Sequence, residues 1–127
     1  MTVESVHRRV ADAIPVLRRH GAVFAYLHGS QADGTARTDS DVDIAAYFAE
    51  PVPHAFEVAL GEDVDLLVLN HAPLEIRGRV ALDGDLLFED CRDDRVYWEA
   101  MTRKIYLDEL PRLNRAHREF LEAVAHG

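Results

Sequence analysis

Leu27-His28-Gly29-Ser30, ten further residues, then Asp41-Val42-Asp43-Ile44: this stretch decides how the 127-residue chain folds and what it can do. The apolar and aromatic run Val23-Phe24-Ala25-Tyr26-Leu27 suits a buried strand, and Val42 to Phe48 suits a second. Between them lies a polar stretch from Gln31 to Ser40. Gly29 lets the backbone turn tightly at a strand end and approach a ligand closely. On a strand, residues i and i+2 point to the same face with Cα atoms roughly 6.6–6.8 Å apart. Asp41 and Asp43 can therefore aim two carboxylates at one spot. Hard oxygen ligands of this kind suit Mg²⁺, which completes its shell with substrate phosphate and water. If a short helix starts at Ser30, its free N–H groups and hydroxyl can hold a phosphate.

Outward from this stretch, Val64-Asp65-Leu66-Leu67-Val68-Leu69 forms the third strand candidate. An acid inside such a run is costly to bury unless paired or bound to metal. With Asp41 and Asp43, Asp65 makes a two-metal clamp physically reasonable. Asp63 stands two residues earlier, at the strand edge, where solvent can reach it.

Val3, Val6, Val10 and Leu17 give a roughly helical spacing that Pro15 is expected to kink or split and Gly21 to stop. Pro51 and Pro53 mark a loop. Pro73 opens a helix running through Ile76 and Val80 to a stop near Gly84, and Leu86-Leu87-Phe88 adds a short edge strand. From Asp93 the pattern is helical through Tyr97, Met101 and Ile105, then Leu110, Leu113, Phe120 and Val124, with Pro111 expected to divide it into two helices. The expected fold is α+β: a small mixed β-sheet flanked by helices, in one domain over 1–127. Residues 1–90 form its catalytic core and 91–127 a helical tail.

Composition narrows the function. Fourteen Lys and Arg against 23 Asp and Glu leave a formal charge of −9, which argues against coating nucleic-acid phosphates. No apolar run approaches the ~20 residues of a membrane span, and MTVESVHRRV lacks a signal-peptide core, so a cytoplasmic protein is expected. Cys91 is the only cysteine, which excludes a disulfide framework and a Cys-based zinc site. Asp39, Asp41, Asp43 and Glu50 occupy EF-hand positions 1, 3, 5 and 12, but position 6 is Ile44 instead of Gly and flanking helices are missing. Ser30 lacks hydrolase partners, and a packed strand end accounts better for His28 than a nucleotide contact. Tyr26, Tyr47, Tyr97 and Tyr106 read as core or surface aromatics; Arg77 and Arg79 follow the third strand, where they could reach a phosphate, but solvated helix positions account for them slightly better. The C-terminal helices offer more apolar positions than a small sheet needs. Tyr97, Trp98 and Phe120 are types favoured at interface centres.

Gly29-Ser30, ten residues, then Asp41-x-Asp43, with Asp65 on a later strand, resembles the DNA polymerase β-type nucleotidyltransferase superfamily and its minimal nucleotidyltransferase (MNT) branch. Val64 to Asn70, Ala72-Pro73-Leu74, Gly84 to Phe88, Arg95-Val96-Tyr97 and the helical tail are similar to MntA-like antitoxins. The resemblance implies ATP as substrate, Mg²⁺ as cofactor (two ions) and a HEPN-domain RNase toxin as partner, silenced by transfer of AMP to a tyrosine. It implies that Asp41, Asp43 and Asp65 bind metal, that Asp65 also accepts the proton of the attacking hydroxyl, and that Gly29 and Ser30 contact the phosphates. Relatives often carry basic residues where this chain has Gln31 and Asp33, so either Arg37 or another base substitutes or ATP affinity is modest. Two other readings are transfer to an aminoglycoside-like small molecule, and an antitoxin that blocks its partner by binding alone.

Overall fold

The computed structural model describes residues 3–29 and 42–126. Among the described residues the α-helices and strands follow in the order α1 (Val3–Arg19), β1 (Ala22–His28), β2 (Val42–Phe48), β3 (Val64–Val68), α2 (Leu74–Asp83), β4 (Asp85–Glu89) and α3 (Arg92–His126), with short 3-10 turns at Ala55–Glu57 and Leu69–His71. The strands form one mixed sheet in the order β3-β2-β1-β4. β2 pairs in parallel with β3, while β1 is antiparallel to both β2 and β4. This is the α+β arrangement expected from the sequence, with β4 at an edge.

Alternation along the strands divides the core into two layers. Val42, Ile44, Ala46 and Phe48 of β2 join Ala25 and Phe88 beneath Ala13 and Leu17 of α1. The opposite face carries Phe24, Tyr26 and Ala45, packed with Val80 of α2 and Trp98 of α3. The sheet is thus held between α1 and the α2/α3 pair. Burying such side chains contributes roughly 1.5–3 kcal/mol each relative to exposure.

Pro111 does not divide its helix in two, against the sequence reading, and of the two outcomes expected at Pro15 the split does not occur. α1 runs unbroken through Pro15, and α3 is one helix of 35 residues through Pro111. Each proline sits on an exposed side of its helix, so the carbonyl that loses its partner faces water. Ala13 and Leu17 anchor α1 on either side of Pro15. No helix among the described residues is long and apolar enough to cross a membrane.

Specific contacts fix the layers. Arg18 of α1 forms an ion pair with Asp90 at 3.0 Å and lies 4.5 Å over the Phe88 ring. The Tyr26 hydroxyl donates to Glu99 Oε1 at 2.6 Å, and Glu99 also pairs with Arg95 and Arg103. Burial, and then the bond to Glu99, push the Tyr26 phenol well above its usual range. Beyond β3, the Asn70 side chain accepts from Phe48 N–H and donates to Phe48 C=O, both at 2.9 Å. That amide continues the parallel ladder past its last strand residue. Half-buried Trp98 packs against the core, 5.5 Å from Phe24 and 5.8 Å from Tyr26 between ring centroids.

α2 and α3 meet at Gly78, where an added Cβ would lie 2.1 Å from Tyr106 Cγ. Alanine normally gains about 1 kcal/mol over glycine within a helix. Here overpacking of typically ~1–3 kcal/mol opposes that gain. Gly78→Ala is expected to lower the urea midpoint of unfolding; a raised midpoint would contradict the close packing.

Candidate functional site

Three adjacent strands each deliver one polar side chain to the same row. His28 ends β1, and Asp43 and Asp65 are second in β2 and β3. The register sets His28 opposite Asp43 and Asp43 opposite Asp65. Directly opposed residues share a face, on strands about 4.7–4.9 Å apart. That face is the one carrying Phe24, Tyr26 and Ala45, so the row prolongs the aromatic layer to the end of the sheet where β2 and β3 begin. Asp43 is half-buried and Asp65 exposed.

Gly29 closes the row with φ at +74°, in the left-handed region where glycine is favoured. An added Cβ would stand 2.7 Å from Asp43 Oδ2. The carboxylate therefore rests against the bare α-carbon of Gly29, and both conformation and space call for glycine there.

Like charges directly opposite across a strand pair are destabilising. Among the described residues neither Asp43 nor Asp65 has an ion-pair partner. A divalent cation shared by the two would replace repulsion with attraction, and two hard carboxylates suit Mg²⁺. Among the described residues, no group of three His, Cys, Asp or Glu side chains could hold a metal ion. Asp41 and Ser30, expected as metal ligand and phosphate contact, lie outside the described residues, as do Gln31, Asp33 and Arg37. Asp63 is excluded from the row: it precedes β3 with φ at +62° and forms an ion pair with Arg9 at 3.5 Å.

His28 was expected as a packed strand end, and it is half-buried there. Its alignment with the two carboxylates was missed. Antiparallel pairing of the strands flanking one loop sets residues equidistant from the loop's centre opposite each other, and His28 and Asp43 satisfy that count. Arg77 departs from its expected solvated position: it is half-buried and its Nε has no hydrogen-bond partner. Arg79 is exposed and pairs with Glu75, as a solvated helix position would.

Burial lowers the His28 imidazole below its usual 6.5, and the charge of Asp43 raises it back in part. Folding thus favours the neutral ring, a contribution present above about 6.5 and lost as pH falls through the folded value. Proton NMR titration of the protein in chelator should place His28 below 6.5, and Asp43→Asn should move it lower still. An upward shift in that variant would contradict the geometry.

The family described as polymerase beta nucleotidyltransferase matches residues 12–93. A candidate protein adenylyltransferase of Methanocaldococcus jannaschii is 28% identical over 88 residues, 63% of this chain and 91% of its own. In a crystal structure of a toxin–antitoxin with AMP-PNP, one chain is 25% identical with a TM-score of 0.70, over 91% of this chain and 98% of that one. The complex of a tri-AMPylated Shewanella oneidensis HEPN toxin with an MNT antitoxin contains a chain sharing the fold. Its TM-score is 0.65 and its identity 22%, over 94% of this chain and 98% of that one. Because the family match covers more than half of the sequence and takes in Gly29, Asp43 and Asp65, the chain belongs to the polymerase beta nucleotidyltransferase family.

Proposed function

We propose that the chain is a Mg²⁺-dependent antitoxin that moves AMP from ATP to a tyrosine of a cognate HEPN RNase toxin and thereby silences it. The observation carrying this reading is the placement of Asp43 opposite Asp65 beside Gly29. Two carboxylates on one face, next to a backbone that can approach closely, suit a nucleotide with its cation. Support for adenylyl transfer to a protein comes from the M. jannaschii relative, and for ATP and an antitoxin role from the likeness to the AMP-PNP-bound toxin–antitoxin chain. The HEPN target rests on the resemblance of the sequence to MntA-like antitoxins.

Asp43 and Asp65, with Asp41 as the expected third carboxylate, would hold Mg²⁺, which when bound supplies charge neutralisation along the triphosphate. Gly29 would keep the backbone close to the phosphates. An exposed Asp65 carboxylate would take the proton from the acceptor hydroxyl as its oxygen bonds to the α-phosphorus. The bond from that phosphorus to the oxygen bridging to the β-phosphate breaks, and pyrophosphate leaves. Proton transfer by a positioned group contributes typically 10²–10⁴-fold.

Co-expression with a HEPN toxin encoded beside it, followed by intact-mass measurement of the toxin, tests this reading. The expected result is an adenylyl increment on a toxin tyrosine, with Asp65→Asn and Asp43→Asn each slowing transfer by about 10²-fold or more. Neutralisation of the toxin at unchanged mass, or AMP appearing only on an aminoglycoside, would overturn it.

A further inference from the structure

A cavity of about 440 Å³ opens between α2, α3 and the far end of β2. Tyr47, one of its walls, is four residues along β2 from Asp43, roughly 13 Å at ~3.3 Å per residue. Neither carboxylate of the row lines the cavity. Its volume falls in the range of small-ligand sites, about 300–1,000 Å³.

The lining combines flat rings with opposite charges. Tyr97, Trp98 and Tyr47 supply the rings, Met101 an adaptable apolar contact, and Arg77 and Asp94 the charges. Tyr97 is 69% exposed, so its ring is available at the mouth. Arg77 forms no ion pair among the described residues, and its Nε is buried without an acceptor. Leaving a buried donor unmade is costly, and such groups in native folds call for an explanation. The guanidinium fork is matched to an anionic oxygen pair. Asp94, unpaired among the described residues and on the same lining, can accept from a hydroxyl or an amine.

We propose that this cavity is a second ligand site, separate from the carboxylate row, for a small molecule with a planar ring, an anionic group and a hydrogen-bond donor. The ring stacks against Tyr97 and Trp98, the anion meets Arg77 and the donor meets Asp94. Nucleoside monophosphates and aromatic amino acids share this chemistry.

Trp98 is the only tryptophan of the chain, so its fluorescence reports occupancy directly. The full chain in chelator is titrated with AMP, adenosine and L-phenylalanine. Saturable quenching by AMP identifies the nucleotide source, and by phenylalanine the amino-acid source; adenosine, lacking the anion, binds more weakly than AMP. Arg77→Gln should weaken the responding ligand about tenfold or more, and Tyr97→Ala about three- to tenfold. Tyr97 is exposed enough for that variant to fold, which preserves the test if Arg77→Gln does not. Asp43→Asn should leave the response unchanged. The proposal is overturned if neither AMP nor phenylalanine alters Trp98 emission at millimolar concentration, if adenosine matches AMP, if both cavity variants bind as before, or if Asp43→Asn abolishes the response.

Discussion

Asp43 and Asp65 stand opposite each other on adjacent parallel strands, and that like-charge pairing is the constraint around which the rest of the structure is arranged. Two carboxylates separated by about one strand spacing repel unless something positive comes between them. The sheet holds them in place because β2 and β3 are locked in register by apolar neighbours. Ile44 pairs with Leu66 on one face and Ala45 with Leu67 on the other. A slip of β3 by one residue would turn Asp65 toward the α1 face, away from Asp43, and exchange the faces of Leu66 and Leu67. Core packing therefore sustains an electrostatic arrangement that is unfavourable by itself, as is common where strain serves function.

The remaining elements support the ends of this arrangement. The Asn70 amide clasps Phe48 and keeps β2 and β3 aligned beyond their last shared pair. At the other side of the sheet, the Tyr26 hydroxyl joins Glu99 and its two arginines, fixing β1 against α3. Tyr26 stands two residues before His28, so this bond also sets the strand that completes the row. Gly29 supplies a backbone conformation and an open α-carbon next to Asp43. The negative charge of the chain is consistent with such a site, since a cation held by carboxylates can receive an anionic nucleotide without a basic surface.

Much of this was legible from residues 23 to 69. The run Val42 to Phe48 coincides with β2, and Asp65 announced itself as an acid inside an apolar strand. Pairing was harder to read, because alternation assigns faces but not partners; His28 was consequently left out of the row. Pro111, and the split allowed for at Pro15, misled for a different reason. A proline costs a helix one internal hydrogen bond, but an exposed carbonyl recovers it from water and the anchored turns continue. Trp98 is a residue type favoured at interfaces, yet one side of it packs against Phe24 and Tyr26 of the core, which leaves it half-buried. Arg77 looked like an ordinary helix surface position until the packing of α2 on α3 buried part of its head.

The central claim is that the opposed carboxylates are held apart for a cation. Mn²⁺ binding in the presence of ATP, followed by electron paramagnetic resonance of the free ion, tests it without requiring a partner protein. Wild-type protein should take up Mn²⁺ saturably, while Asp43→Asn and Asp65→Asn should each lose most of that uptake and stay folded. Equal uptake by the wild type and both variants would contradict the account.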